Sequence, residues 1–339
     1  PRLWRSPVLS SGERAVMAVY VDDMYLTSPD KEFVEEFRSK LHVLAPHKSL
    51  GELSYALGCE FEWSPTGNSV TIACKRKITE LLRRSSMESA RPATTPLIPG
   101  SKLADDLLTE TVTNYDEITQ YRSAVGTLLY IMRAARPDLC HAAWYLACGM
   151  TAPTVGLIAQ LKHTLRYLVY SFDFVLRYSV NKVKDSERLD LSSIDYDYRR
   201  LVGFSDANFE PNRCVSSCVT MYLNAAFHWR VKKQQRVSTS TVHAELNAMT
   251  EESRDLELFR DIFAFVGLSQ DDSSVLFSDS RGAIQNAKHP SFSEKLRSAL
   301  NSIFYIREVV ELMICTVRYI PTKLNPADLG TKALGYVLF

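Results

Sequence analysis

Asp206, Glu245, Asp279 and Asp328 are the residues whose types and spacing could do chemistry together. Asp206 closes the run Val202-Gly203-Phe204-Ser205, and Asp279 closes a second run, Val275-Leu276-Phe277-Ser278. Carboxylates at the ends of neighbouring strands can converge at one edge of a sheet. Glu245 lies between Val242 and Met249 in a segment whose apolar positions continue through Leu246, Leu256, Phe259 and Phe263. Helical spacing sets it beside the apolar stripe rather than opposite it. Asp328 follows the last strand-like run and opens a short helix, where the helix dipole alone would also favour an acid. Together these acids suit two Mg²⁺ ions about 3.5–4 Å apart, one activating a water and one stabilising the leaving oxygen of a phosphodiester.

A second acidic pair, Asp22 and Asp23, ends the apolar run from Ala15 to Val21, and Met24-Tyr25-Leu26 resumes as a return strand. The aspartates therefore fall at a hairpin tip. Adjacent carboxylates there repel each other unless a cation neutralises them, which suits Mg²⁺; a solvated Asp-Asp turn is the competing reading. His228, Trp229, Arg230, Lys232, Lys233 and Arg236 form a basic and aromatic stretch. It suits a nucleic-acid backbone, and a solvated strand end is its plainer alternative.

The elements that must position these groups follow from pattern. Glu32 to Leu41 has helical spacing, Leu57 to Trp63 alternates as a strand, and Ser69 to Ala73 returns after a Pro-Thr-Gly-Asn turn. Lys75 to Ser86 is a basic amphipathic helix. From Arg91 to Asn114, prolines and acids predict a linker or exposed loop. Helices follow over 121–133, 138–150 and 154–170. Beyond Leu201 the order is three strands, a long helix over 241–266, a strand at 275–277, helical segments over 282–287 and 298–313, and a strand over 315–320. That order predicts a mixed sheet with helices packed on it.

A chain of 339 residues is long enough for about two domains. A net charge of +1 means that any nucleic-acid contact must be made by local charge. Seven irregularly spaced cysteines predict free thiols in a reducing compartment, and Cys214 with Cys218 lacks the second pair that a zinc finger needs. No apolar run is long enough to span a membrane. The opening Pro1-Arg2-Leu3-Trp4 is neither a signal peptide nor an initiator start, so a piece of a longer protein is expected.

These residues resemble the C-terminal part of the Pol polyprotein of copia-type retrotransposons, over nearly all of the chain. Tyr20-Val21-Asp22-Asp23 resembles the reverse-transcriptase palm hairpin, and Leu50-Gly51-Glu52-Leu53 with Tyr55-Ala56-Leu57-Gly58 resembles the next palm segment. Met87-Glu88 through Thr95-Pro96-Leu97 is similar to the thumb-to-connection passage. Tyr121 to Tyr130 with Arg136-Pro137-Asp138 is the most family-specific string, and Leu165-Arg166-Tyr167-Leu168 is similar to the helix after it. Gly203-Phe204-Ser205-Asp206-Ala207, Lys232-Lys233-Gln234, Ala244-Glu245 and Ala327 to Lys332 resemble the ribonuclease H domain. The resemblance implies that Asp206, Glu245, Asp279 and Asp328 are its metal-binding carboxylates.

It implies a multidomain α+β and α/β chain: partial palm and start of thumb over 1–90, linker over 91–114, helical thumb or connection over 115–190, and ribonuclease H-like mixed sheet over 198–339. The implied activity is two-metal hydrolysis of the RNA strand of RNA–DNA hybrids, with Mg²⁺ or Mn²⁺. The implied partners are hybrid, template and primer, and the rest of the parent polyprotein, with no membrane. The implied place is the cytoplasm, in a virus-like particle, or the nucleus.

Two departures stand out. Polymerase chemistry in this family needs a third aspartate from an earlier palm strand, and residues 1–21 contain no Asp; with Asp22 and Asp23 alone the chain is not expected to polymerise. The typical Thr-Glu-Ala-Glu reads Val242-His243-Ala244-Glu245, and Ser298, Leu300 and Phe304 stand in a usually histidine-rich passage before Ile306-Arg307-Glu308. A decayed, non-catalytic nucleic-acid-binding module is therefore the alternative function.

Overall fold

The computed structural model describes residues 2–9, 12–181, 191, 193–210, 214–235, 237–289 and 294–332. Contacts divide the chain into two units, Pro1–Ser54 with Leu258–Asp271, and Tyr55–Glu257 with Asp272–Phe339. Among the described residues no helix is long and apolar enough to cross a membrane.

The first unit holds a three-stranded antiparallel sheet of β1 (Arg2–Arg5), β2 (Val16–Tyr20) and β3 (Asp23–Thr27), followed by α1 (Lys31–Leu44). β2 and β3 pair from Val16↔Thr27 to Tyr20↔Asp23, so the expected hairpin forms and turns through Val21 and Asp22. Asp30 caps α1 by accepting from the Phe33 amide, and Phe37 packs on Phe33 and Trp4.

In the second unit, β4 (Tyr55–Ala56), β5 (Cys59–Trp63), β6 (Ser69–Ala73) and β7 (Leu176–Ser179) make a four-stranded sheet. It packs with α2 (Lys75–Arg84), α3 (Leu103–Leu107), α4 (Tyr115–Ala135), α5 (Cys140–Ala147) and α6 (Val155–Tyr170). Ile78, Leu81 and Leu82 form the buried face of α2, as its periodicity predicts. The Arg136-Pro137-Asp138 string is a clasp. The Arg136 guanidinium, 1% exposed, donates to Asp138 at 2.6 Å and to the Ser171 hydroxyl at 2.6 Å, while the Tyr167 hydroxyl donates to Asp138 at 2.9 Å.

The span 91–114 is largely exposed and is anchored at a few points: Leu97 and Leu103 are buried, and Asp106 accepts from Tyr145 at 2.6 Å and Gln160 at 2.9 Å. The expected division at residue 90 falls inside one body, because β7 pairs with β6 across the intervening helices; the structural division comes at Ser54.

The same unit contains a five-stranded sheet of β8 (Val202–Asn208), β9 (Val215–Tyr222), β10 (Ala225–Lys233), β11 (Ser274–Ser278) and β12 (Cys315–Tyr319), in the order β10-β9-β8-β11-β12. The pairs β8·β9 and β9·β10 are antiparallel, whereas β8·β11 and β11·β12 are parallel. The parallel steps require crossovers, supplied by α7 (Thr241–Phe265), then by α8 (Arg281–Lys288) and α9 (Leu300–Glu311). Three antiparallel strands followed by helix-linked parallel strands define a ribonuclease H-like sheet. Phe204 and Phe277 stack at 5.4 Å in its core.

Candidate metal centre

The sheet register creates the site. β8 and β11 run parallel with Ser205 paired to Ser278, so the next residues, Asp206 and Asp279, continue side by side at the same sheet edge. The strand spacing of about 4.8 Å sets how far apart their backbones lie. Glu245, in the second turn of α7, reaches the same place. Oxygens of Asp206, Glu245 and Asp279 all lie within 4.8 Å of one another.

Asp328 stands beside this group on a short helical turn, Pro326–Gly330. Asn325 fixes that turn by donating to the Ser205 carbonyl at 3.0 Å and accepting from the Ala327 amide at 3.1 Å. Gly330 lets the turn seat closely, because a Cβ there would come within 2.3 Å of the Ser217 hydroxyl and of Val231. The Thr331 hydroxyl donates to Asp206, Thr322 donates to Asp279 at 2.6 Å, and the Lys332 ammonium donates to Asp328 at 2.7 Å.

The electrostatics are those of a site short of positive charge. Burial, then the charges of Asp206 and Asp279, push the Glu245 carboxyl up to about 9. Burial, then the Asp206 charge, push Asp328 up to about 7. Burial opposes the charge on Lys332, but its hydrogen bond to Asp328 and the surrounding acids outweigh burial and raise it. Glu245 Oε2 and Asp328 Oδ1 are sealed from solvent with no hydrogen-bond partner. Unsatisfied buried carboxylate oxygens are costly, and one lysine at the rim does not serve both. An all-oxygen donor set with spare lone pairs fits a hard divalent cation.

Other expected site residues lie elsewhere. Asp22 is in the β2–β3 turn and Asp23 opens β3; both are exposed, and among the described residues no metal-competent group contains them. Trp229 and Arg230 are both half-buried and make contacts within the chain. The Trp229 indole donates to the Met132 carbonyl at 2.9 Å, inside the contact between β10 and the helical region. Arg230 pairs with Asp255 at 3.0 Å and Glu251 at 3.4 Å. Alternation along β10 turns these side chains toward partners that a local reading does not see. Lys232 and Lys233 are exposed, and Arg236 lies outside the described residues.

Sequence reasoning missed a second acidic group on α7. Cys218, Glu252 and Asp255 offer ligand atoms within 4.8 Å of one another. Glu252 is fully buried over Gly203, where a Cβ would come within 2.5 Å of Oε1, and it accepts from Thr220 at 2.7 Å. Seven residues from Glu245, it sits on the same side of the helix, the one available signal. The two departures at His243 and Ser298 also meet, since the Ser298 hydroxyl lies 3.1 Å from His243 Nδ1.

Strand order and carboxylate edge define the class as a ribonuclease H-like domain joined to a helical connection region. No family model matches the chain. It is 27% identical, over 94% of its length, to the retrovirus-related Pol polyprotein from transposon TNT 1-94 of Nicotiana tabacum. It is 28% identical, over 98% of its length, to that from transposon RE1 of Arabidopsis thaliana. These alignments cover 23% and 22% of the relatives, so the chain spans between a fifth and a quarter of their length. Among solved structures, a foamy viral protease-reverse transcriptase in complex with double-stranded DNA aligns over 90% of the chain and 46% of its own, with 11% identity and a TM-score of 0.46. LC11-RNase H1 in complex with an RNA/DNA hybrid aligns over 38% of the chain and 91% of its own, with 16% identity and a TM-score of 0.31. Over nearly its whole length the chain is thus similar to retrovirus-related Pol polyproteins of copia-type transposons.

Proposed function

We propose that the five-stranded domain is a metal-dependent ribonuclease H that hydrolyses the RNA strand of RNA–DNA hybrids. The observation carrying this reading is the meeting of Asp206, Glu245 and Asp279 within 4.8 Å. Mg²⁺, or Mn²⁺ in its place, is the cation such oxygens favour; as a bound pair it would supply an activated water and charge neutralisation at the leaving oxygen. Asp206, Glu245 and Asp279 would hold it, with Asp328 at the flank. Thr331 and Thr322 aim the Asp206 and Asp279 carboxylates by donating to them. Lys332 keeps positive charge at the rim where a phosphate would approach. Exposed Lys232 and Lys233 extend that charge along β10. Contacts to 2′-hydroxyls across the minor groove would select hybrid over duplex DNA.

Asp22 and Asp23 stand as an exposed pair at the β2–β3 hairpin, and the proposal assigns the hydrolytic chemistry to the five-stranded domain. Template, primer, the remainder of a Pol parent and an intracellular particle belong to this same reading as partners and place.

The test is incubation of the purified chain with end-labelled RNA–DNA hybrid and Mg²⁺, beside Asp279→Asn. RNA-strand cleavage that disappears in the variant supports the proposal. Hybrid binding without cleavage would instead favour a decayed binding module.

A further inference from the structure

We propose that Cys59 and Cys74 form an oxidisable dithiol, a modification site that closes to a disulfide and clasps the β5–β6 hairpin to the start of α2. Cys59 and Cys74 are both reduced thiols, and their sulfurs lie 3.5 Å apart. Register explains the approach. β5 and β6 pair Glu60 with Ala73, so one step further along the ladder sets Cys59 opposite Cys74. Cross-strand neighbours have Cβ atoms about 4.5–5.5 Å apart, against about 3.5–4.5 Å across a disulfide, so a small approach suffices.

The surroundings hold the pair in place. Cys74 is the N-cap residue of α2, and Glu60, next to Cys59, accepts from the Lys75 amide at 3.0 Å and the Arg76 amide at 3.1 Å. The hydrogen bond between the thiols lowers the pKa of Cys59 against burial, while the same bond and burial raise that of Cys74. Cys59 is also the more exposed of the two and is assigned the first attack. Both side chains are buried, at 5% and 1% exposure, which favours a small oxidant such as a peroxide.

The reaction balances simply. The Cys59 thiolate attacks one peroxide oxygen and breaks the O–O bond, giving a sulfenic acid; the departing hydroxide takes up a proton as water. The Cys74 sulfur then attacks the sulfenic sulfur, forming the S–S bond and releasing a second water. Two thiols are oxidised, one peroxide is reduced, and a dithiol reductant reverses the modification.

The native chain is treated with hydrogen peroxide, quenched, denatured with an alkylating reagent and digested. No Lys or Arg lies between Cys59 and Cys74, so trypsin leaves both in one peptide, residues 49–75, while cleavage at Glu60 and Glu62 separates them. The expected result is loss of two hydrogens from that peptide, with alkylation blocked until reduction, and a cross-linked pair after cleavage at glutamate. Three outcomes overturn the proposal: both thiols remain alkylatable at a dose that oxidises exposed Cys148, Cys59 passes to a sulfinic acid without a cross-link, or the cross-link forms only in denatured chain. The primary readout uses the unmodified sequence, so it does not depend on whether Cys59→Ser or Cys74→Ser folds.

Discussion

Two turns apart on α7, Glu245 and Glu252 each enter a group of buried acids, and the groups are neutralised in opposite ways. Around Glu252 the chain supplies the positive charge itself: Arg230 lies 3.0 Å from Asp255 and 3.4 Å from Glu251. Burial, then the Asp255 charge, raises Glu252 well above the carboxylate range, so it is held as the acid. Burial and the Arg230 charge take His228 down to about 4, leaving one cation among these residues at neutral pH. Around Glu245 the ion pair among the described residues is Lys332 with Asp328, at the flank of the group, while both groups keep buried carboxylate oxygens with no hydrogen-bond partner: Glu245 Oε2 and Asp328 Oδ1 in one, Glu251 Oε2, Glu252 Oε2 and Asp255 Oδ2 in the other. The lesson is that a cluster of carboxylates indicates a metal by the charge it lacks, since the Arg230 group has equally close ligand atoms.

The contrast can be tested from both sides. The largest effect expected is on chemistry: Asp279→Asn should lower hybrid cleavage by about 100-fold or more, the scale of losing a preorganised charge at the reacting centre. Its melting temperature should hold or rise, because one repelling carboxylate is gone; a cleavage assay with calorimetry reads both. On the other side, Arg230→Ala should cost about 3 kcal/mol of stability, the low end for stripping one partner from a buried pair, because the side chain is 30% exposed. Urea unfolding measures that loss, and added Mg²⁺ should not restore it. Next in size, Mg²⁺ at about 100 times its dissociation constant should stabilise the unaltered chain by about 2.7 kcal/mol. Glu245→Gln should abolish that gain and Glu252→Gln should keep it, as read in thermal melts; equal gains in both would erase the distinction between the groups.

The smallest effect is a pH trend without metal. Glu245 and Asp328 bind protons more tightly when folded, at about 9 against 4.5 and about 7 against 3.8 for the unperturbed groups. Their stabilisation is therefore fully present below about pH 4 and is lost as pH rises through 7 and then 9. Lys332 offsets part of it. Unfolding midpoints should fall across that window in chelator and flatten in Mg²⁺.

Much of this was legible in one dimension. The helix of α7, the strands ending at Asp206 and Asp279, and the hairpin at Asp22 follow from apolar runs and their punctuation, which local backbone preference obeys. Helical phase alone placed Glu245 on the inner flank. The anchors of 91–114 were not legible, because Asp106 finds its partners at Tyr145 and Gln160, far along the chain. The partners of Trp229 and Arg230 were hidden for the same reason: they lie on other elements, at Met132 and at Glu251 and Asp255.

The sequence by itself determined which residues are acids, at what phase each sits in its own element, and that Cys59 and Cys74 flank one hairpin. Tertiary structure decided the rest. Parallel pairing of β8 with β11 brought Asp206 beside Asp279, and close seating of the 326–330 turn added Asp328. Folding also gave one acidic group an arginine and the other a lysine at its flank. The reason is physical: periodicity is a property of neighbours along the chain, whereas charge balance and desolvation depend on every group that the fold gathers into one small volume.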